Sequence, residues 1–504
     1  MSRRVWTPRP YQGPAISHLL RHPRCALWAT PGTGKTGVAL TVLQALDMAG
    51  EGPALVLAPL RVARDTWSTE AAKWEHLAGL EVVPIVGTEK ERRSALARTA
   101  PIYVTNYENL VWLIEYWGDR WPYRTVVADE SDKIKGMRLS YRTAKKKDGT
   151  PGKTFLAGNG AKRADALARV AHLRTARFIE LTGTPATNGL KDLWGQLWFL
   201  DRGHRLGRTY TDFTQRWFTR GFDGYGLEPL PGAEEQIHAA VADLCLSINA
   251  GDYFPLQDPV IVPRMVTLPP KARQLYRQME YNFLAELNGR TATAANAAVK
   301  SLRLLQIASG AIYVDHEEDV VNPLARKDWE LIHDAKIDAL GDLISELQGA
   351  NLIVVYHFYS DLMRLKKAFP KGRHLNTKQD EDDFKAGKIP LLFLHPASAG
   401  HGIDGFQTVC HHMAFFSHDW SLGNYLQVIE RIGPTRQFQA GLDRNVFLYF
   451  ILTEGTMDEE VMERRQSKKE TLDILMEATK RRAAGLPSRW REQQEARETA
   501  EGML

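Results

Sequence analysis

The turn that ends in Lys35-Thr36 is the first place where residue types and spacing could do chemistry. An apolar segment, 27–29, leads into Thr30-Pro31-Gly32-Thr33-Gly34-Lys35-Thr36, and a helix-compatible run follows. The glycines let the backbone curl so that its N–H groups face a polyphosphate, and a helix N-terminus adds its positive dipole end. Lys35 would reach the β- and γ-phosphates, and the Thr36 hydroxyl would bind Mg²⁺. The residues assigned to this P-loop are Pro31, Gly32, Thr33, Gly34, Lys35 and Thr36.

An adjacent acid pair, Asp129-Glu130, is the second candidate for chemistry. It ends the apolar run 125–128, which is typical of a buried strand. Asp129 would hold Mg²⁺, and Glu130 would orient and deprotonate an attacking water. Alone, such a pair is more often a solvated turn, but in a chain that also has a P-loop it predicts a Walker B site. The two motifs together predict hydrolysis of ATP with Mg²⁺.

Further short motifs lie before, between and after these two. They are Pro10-Tyr11-Gln12, Leu57-Ala58-Pro59-Leu60-Arg61, Val104-Thr105-Asn106-Tyr107-Glu108, Leu181-Thr182-Gly183-Thr184-Pro185, 396–404 and 427–437. With them, most of residues 8–480 resemble the superfamily-two helicase-like ATPases. Within that superfamily the chain is most similar to the Swi/Snf-like branch, including phage-encoded DNA helicases.

The resemblance implies roles for residues of the first half. Gln12 would contact the adenine base, and Arg61 and Thr105 would contact the nucleic-acid backbone. Thr182, Gly183 and Thr184 would couple the γ-phosphate site to the nucleic-acid site. Trp67 also continues the family pattern, but its helical spacing favours a packing role.

The second half contains a matching set without a P-loop. In Pro396-Ala397-Ser398-Ala399-Gly400-His401-Gly402-Ile403-Asp404, the resemblance implies that Ser398 contacts nucleic acid, Gly402 takes part in coupling and Asp404 senses the nucleotide.

An arginine finger is expected near residue 430. The family pattern is Gln, then Arg four residues later, then a second Arg three beyond that. Gln427 and Arg431 match, Pro434 stands at the second Arg position, and Arg436 follows two residues later. Because a finger stabilises charge on the transferred phosphoryl group, Arg431 and Arg436 are both candidates.

The fold expected from the resemblance is α/β, with two RecA-like lobes, each a parallel sheet flanked by helices, and a helical insertion at the lobe junction. Lobe 1 is predicted at 1–202. An irregular linker and the helical insertion follow at 203–347, lobe 2 at 348–455, and a charged C-terminal helix and tail at 456–504.

The positive charge is concentrated in one segment. The whole chain has a net charge of +5, yet the stretch 138–163 alone carries eight basic residues against Asp148. We interpret 137–163 as a basic loop in which Lys145, Lys146 and Lys147 grip DNA phosphates. The alternative is a solvated, mobile face.

The composition is that of an ordinary globular protein. The chain has three widely spaced cysteines. This pattern does not predict a structural zinc site, and it fits a reducing compartment. Neither a signal peptide nor an apolar stretch long enough to span a membrane is visible. We therefore expect a cytoplasmic monomer, in the host cytoplasm if the protein is viral.

The function expected from the sequence is an ATP-dependent DNA motor, a helicase or duplex-DNA translocase that moves on or remodels DNA. Its contacts would be mainly to phosphates, with duplex DNA favoured and no membrane involved. Two alternatives stay open: an RNA helicase, and a nucleotide-gated nucleic-acid clamp with little turnover.

Overall fold

The computed structural model of the chain describes residues 3–145, 151–186, 189–220, 227–288, 294–314, 328–396 and 404–466. The chain divides into two compact units, Met1–Pro255 and Leu256–Leu504. No helix in the described part of the chain has the length and apolar character needed to cross a membrane.

The first unit is built on a seven-stranded parallel sheet. The strands of the whole unit are β1 (Arg24–Ala29), β2 (Ala54–Ala58), β3 (Val82–Ile85), β4 (Ile102–Asn106), β5 (Thr125–Asp129), β6 (Leu139–Lys145), β7 (Pro151–Gly158), β8 (Arg177–Thr182), β9 (Phe218–Arg220), β10 (Leu227–Pro229) and β11 (Cys245–Ile248). The order in the main sheet is β11-β1-β8-β5-β2-β4-β3. The remaining strands form two hairpins, β6–β7 and β9–β10.

Helices cover both faces of this sheet. They are α1 (Gln12–Arg21), α2 (Lys35–Met48), α3 (Trp67–Lys73), α4 (Glu89–Leu96), α5 (Leu110–Trp117), α6 (Lys162–Ala171), α7 (Leu193–Asp201), α8 (Tyr210–Trp217) and α9 (Ala233–Val241). Alternate strand residues enter two separate apolar cores, so that Val126 packs on one face and Val127 on the other. Strands buried on both faces are near-continuous apolar runs, which is why β2 reads Ala-Leu-Val-Leu-Ala.

The second unit repeats the plan with a six-stranded parallel sheet. The strands of the whole unit are β12 (Val260–Val266), β13 (Ala311–Tyr313), β14 (Trp329–Leu331), β15 (Leu352–Val355), β16 (Arg373–His374), β17 (Leu391–Leu394), β18 (His412–Phe415) and β19 (Phe447–Thr453). The order is β12-β19-β18-β15-β17-β16, and β13–β14 is a separate hairpin. Two apolar cores again lie on opposite faces of the sheet.

The helices of the second unit include the predicted helical insertion. They are α10 (Pro270–Asn288), α11 (Ala294–Ser309), α12 (Ala335–Glu346), α13 (Tyr359–Ala368), α14 (Lys378–Lys385), α15 (Leu422–Ile429), α16 (Pro434–Gln439) and α17 (Met457–Gln466). The helices α10 and α11 share an apolar core with α17, through residues such as Tyr276 and Val461. Each unit is thus a parallel sheet flanked by helices, which confirms the predicted α/β fold class.

The interpretation of the first part of 203–347, up to about residue 270, as an irregular linker is wrong. This stretch contains helices α8 and α9, the edge strand β11 of the first sheet and the edge strand β12 of the second. The first unit accordingly extends to Pro255, beyond the predicted boundary at 202. The sequence concealed these elements because β11 has only four residues and β12 contains Pro263, which is tolerated at a sheet edge.

The interpretation of 137–163 as a loop is also wrong. Strands β6 and β7 pair antiparallel in this segment, with Tyr141 opposite Leu156 and Arg142 opposite Phe155. The high charge of the segment is typical of a loop, but its Thr, Tyr and Phe residues have the β-propensity that favours strands. The basic segment is therefore a hairpin.

Some predicted residues lie outside the described part of the chain. They are Lys146, Lys147, Ser398 and Gly402, together with the C-terminal segment 467–504.

Candidate nucleotide and nucleic-acid site

The P-loop connects β1 to α2 at the carboxyl end of the first sheet. Gly32 and Gly34 have φ angles of 82° and 81°, in the left-handed region that favours glycine. A Cβ on Gly34 would also lie 2.7 Å from Gln12 Nε2. The Lys35 ammonium donates to the Ala29 carbonyl at 2.7 Å, so the loop curls back on its own strand.

Gln12 supports this loop directly. It begins α1 and is buried, and its Nε2 donates to the Thr33 carbonyl at 3.1 Å. Its Oε1 accepts from the Arg9 amide at 2.9 Å. These bonds show that Gln12 fixes the position of the P-loop, and its adenine contact stays a prediction.

The edge strand β11 also holds the P-loop. The Thr30 amide donates to the Ile248 carbonyl at 3.0 Å, and the Ala250 amide donates to Thr30 Oγ1 at 3.0 Å. The nucleotide loop therefore depends on residues far along the chain that the sequence did not associate with it.

The predicted Walker B acids lie where β5 ends, one strand away from β1 across β8. Asp129 is buried and its Oδ2 accepts from Trp67 Nε1 at 3.0 Å. The Tyr107 hydroxyl donates to the Asp129 carbonyl at 2.9 Å. Glu130 has φ 60°, a left-handed conformation that costs a non-glycine residue energy and is often found at functional sites. We call residues 129–135 the Walker B turn.

Burial and neighbouring charges set the protonation of these acids. Burial raises the pKa of Asp129, although the Trp67 hydrogen bond and the Lys35 charge act in the opposite direction. Burial raises the pKa of Glu130 to about 7, while Lys35 lowers it and Asp129 raises it. A carboxylate whose pKa lies near neutrality is well matched to proton transfer. The charge of Lys35 thus lowers the pKa of both acids, against the effect of burial.

Residues 182–185, which we call the coupling motif, begin at the last residue of β8. This strand lies between β1, which leads into the P-loop, and β5, which ends in the Walker B acids. Thr182 is fully buried, and its Oγ1 accepts from the Thr184 amide at 3.1 Å. A Cβ on Gly183 would lie 2.9 Å from Pro31 Cδ. The coupling motif therefore packs against the P-loop at a point where only glycine fits without displacement.

The predicted nucleic-acid residues of the first unit differ in placement. Arg61 is partly buried and lies just beyond β2. Thr105 is fully buried within β4, and its hydroxyl donates to the Ile85 carbonyl at 2.8 Å. The structure contradicts a direct phosphate contact by Thr105, because its side chain faces the interior. Lys145 is the last residue of β6.

The second unit brings two predicted residues together. Arg436 forms an ion pair with Asp404. Arg431 is buried, and its Nε donates to the Gln427 carbonyl at 3.2 Å. The departure at Pro434 has a structural reason, since Pro434 occupies the first turn of α16, where proline is favoured.

The contacts of two residues with the Walker B acids are not predicted by the sequence. Trp67 is a core residue, as its helical spacing predicts, and Tyr107 lies in a motif that gives it no separate role. Both bond to the Walker B acids, 62 and 22 residues away along the chain. The sequence signal for them is their place within or just after short motifs of the family pattern.

Mg²⁺ suits the residues present. Asp129 supplies a carboxylate and Thr36, in the first turn of α2, supplies a hydroxyl. Hard oxygen donors suit Mg²⁺, which in nucleotide sites takes most other ligands from phosphates and water. Across the described ranges, no group of three or more His, Cys, Asp and Glu side chains is placed to hold an ion by itself.

A parallel sheet whose strands end in a P-loop and an acid pair defines a P-loop nucleotide-binding protein. A family model described as the SNF2-related domain matches residues 18–249. Protein p41 of Acyrthosiphon pisum secondary endosymbiont phage 1 is 47% identical over 487 residues, covering 95% of this chain and 100% of that protein. The chain belongs to the SNF2-related family of helicase-like ATPases, which confirms the predicted Swi/Snf-like resemblance.

More distant relatives include larger proteins. The chromatin-remodeling ATPase INO80 of Mycosarcoma maydis is 24% identical over 414 residues, covering 73% of this chain and 20% of that protein. The chain therefore spans only a fifth of the length of that relative. The solved Sulfolobus solfataricus SWI2/SNF2 ATPase core in complex with dsDNA is 19% identical, covers 92% of both chains and has a TM-score of 0.41.

Proposed function

We propose that this protein is an ATP-dependent motor that moves on or remodels duplex DNA. The observation that carries the proposal is the convergence of Lys35, Asp129 and Glu130 at the carboxyl ends of neighbouring strands, with the coupling motif between them. Membership of the SNF2-related family and the likeness to a chromatin-remodeling ATPase support the same reading.

The chain's own residues account for the hydrolytic step. The backbone around Gly32 and Gly34 binds the phosphates, and Lys35 leaves the Ala29 carbonyl to contact them. Thr36 and Asp129 would hold Mg²⁺, which when bound neutralises phosphate charge. Glu130 orients the attacking water and accepts its proton, which its raised pKa favours.

The second unit contributes the remaining candidates. Arg431 and Arg436 stay the proposed fingers, and Asp404 the proposed nucleotide sensor. Because Arg436 is paired with Asp404, it must exchange this carboxylate for a phosphate oxygen to act as a finger.

The basic hairpin and Arg61 are the proposed contacts to DNA. Phosphate contacts are independent of base sequence and weaken as salt rises. The observations that support these contacts are the positive charge of the segment 138–163 and the partly buried position of Arg61 just beyond β2.

The test is the ATPase rate with duplex DNA, single-stranded DNA, RNA or no polynucleotide. We expect stimulation by duplex DNA and complete loss of activity in Lys35→Ala. Lys90→Ala, which removes an exposed lysine of α4, is the matched control and should behave as wild type.

Each alternative gives a different result. Stimulation by RNA alone would favour an RNA helicase, and DNA binding with negligible turnover would favour a clamp. ATP hydrolysis that no polynucleotide stimulates would contradict the motor.

A further inference from the structure

Gln196, on α7, is a buried glutamine with bonds in two directions. Its Oε1 accepts from Ser131 Oγ at 2.8 Å. Its Nε2 donates to the Pro185 carbonyl at 2.6 Å and lies 3.2 Å from the Asp192 carbonyl of the preceding turn. Gln196 is 1% exposed and Ser131 is fully buried, so water does not compete for these bonds.

Each end of this bridge adjoins a part of the nucleotide site. Ser131 directly follows Glu130, the proposed base. Pro185 ends the coupling motif, whose Gly183 lies against Pro31 of the P-loop. Gln196 therefore links the coupling motif, which packs against the P-loop, to the Walker B turn.

The helix that carries Gln196 is fixed to the Walker B turn at two other points. A Cβ on Gly195 would overlap the Lys135 carbonyl, so α7 approaches the turn as closely as a helix can. The Lys135 ammonium lies 2.9 Å from Asp192 Oδ2. These contacts join α7 to the Walker B turn. The bond from Gln196 to the Pro185 carbonyl links the coupling motif to both.

We propose that Gln196 is a positioning residue that couples the coupling motif to the proposed catalytic base. The inference rests on the proposed motor function, in which the coupling motif and the Walker B turn must act together. Only an amide of this length both accepts from Ser131 and donates to Pro185. Gln196 does not touch the nucleotide loop itself, so it acts through its two partners.

The experiment compares wild type, Gln196→Met and Ser131→Ala. For each protein, the affinity for a fluorescent ATP analogue and the ATPase rate with and without duplex DNA are measured. We expect the DNA-stimulation factor to fall about fivefold or more in both variants, the range of an ordinary coupling energy. Nucleotide affinity should stay within about twofold of wild type, because the P-loop is unchanged. A merely structural glutamine would not separate these two readouts.

Gln44→Met is the matched control. Gln44 donates to the His76 carbonyl at 2.7 Å from α2, so this variant also removes an amide-to-carbonyl bond within the first unit. Its stimulation factor should equal that of wild type. A double variant of Ser131 and Gln196 should cost no more than Gln196→Met alone, since the two residues share one bond.

The failing outcomes are distinct. Unchanged stimulation in both single variants, or a parallel loss of nucleotide affinity, overturns the coupling role alone. A wild-type protein that DNA does not stimulate overturns the motor and the coupling with it. If Gln196→Met does not fold, Ser131→Ala decides by the same criterion.

Discussion

The Asp129 carboxylate is oriented by an indole as well as by its strand. Trp67 is fully buried and donates to Oδ2 at 3.0 Å. A hydrogen bond to a charged group contributes about 1.5–3 kcal/mol. The tryptophan thus fixes which oxygen of Asp129 stays available to a metal ion.

Replacing this tryptophan tests its role. We expect Trp67→Phe to fold and to lower kcat for ATP hydrolysis about tenfold, the effect of roughly 1.4 kcal/mol. Trp117→Phe is the control, because it removes an indole bond to the Tyr123 hydroxyl elsewhere in the first unit. Equal kcat values for the two variants would contradict a role for Trp67 in catalysis.

Glu180 is an unusual residue for the centre of a sheet. It lies in β8, is fully buried, and neither of its side-chain oxygens has a hydrogen-bond partner among the described residues. Burial raises its pKa well above the usual value, and the charge of Asp201 adds to the effect. The Glu180 carboxyl therefore keeps its proton to a higher pH in the folded protein than in the unfolded chain.

This carboxyl predicts a pH-dependent stability. In the unfolded chain the Glu180 carboxyl has its ordinary pKa of 4.5. Above that pH the carboxyl must take up a proton when the chain folds. This lowers the free energy of unfolding by about 1.4 kcal/mol per pH unit, up to the pKa of the folded state. The stability that Glu180 provides is thus present at low pH and lost as the pH rises. We expect Glu180→Gln to melt at a higher temperature than wild type, with a gap larger at pH 8 than at pH 5. The exposed Glu235→Gln should show no such gap, and a gap independent of pH would contradict the argument.

At the scale of elements, the local motifs were predictable and their long-range partners were not. The P-loop, the Walker B acids and the coupling motif are each a few consecutive residues at the end of an apolar strand, so the sequence predicts both their type and their position. Gln196 and Trp67 reach partners 65 and 62 residues away. In the sequence both have the spacing of ordinary packing residues, since a helix face that buries a hydrogen bond has the same period as one that buries only carbon.

The hairpin β6–β7 changes how the basic segment can contact DNA. Paired strands hold their residues in fixed alternation, so the described part of the basic segment, which includes Arg142, belongs to a regular element rather than to a loop. The cross-strand pair Tyr141 and Leu156 is half exposed, at 55% and 44%. The hairpin therefore offers an apolar surface beside its cations.

Removal of the lysines tests this contact. We expect Lys145, Lys146 and Lys147→Ala to weaken duplex-DNA binding and to reduce the slope of log affinity against log salt by about one per lysine that contacts a phosphate. Basal ATP hydrolysis should be intact. The control replaces Lys366, Lys367 and Lys371, three exposed lysines of the second unit, and should leave the slope unchanged. Equal slopes in wild type and the hairpin variant would favour the alternative interpretation, that the segment is a solvated surface.

At the scale of the molecule, the first unit needs residues beyond its catalytic motifs. Phe213, Ile237 and Cys245 belong to one of its two apolar cores, and β11 completes the sheet beside β1. We expect a fragment of residues 1–255 to unfold cooperatively and a fragment of residues 1–202 to lack cooperative unfolding. Thermal melting by circular dichroism distinguishes them. A cooperative transition in the shorter fragment would contradict the assignment of 203–255 to this unit.

The late arrival of β11 has a consequence for synthesis. The strand that leads into the nucleotide loop is among the first to leave the ribosome, yet its outer neighbour follows only after residue 244. Until then β1 presents an open edge to the nascent chain and to chaperones, and Thr30 lacks its bonds to Ile248 and Ala250. At about 5–20 residues per second, this interval lasts on the order of ten seconds or more. The proposed nucleotide-binding loop is thus translated early and matures late.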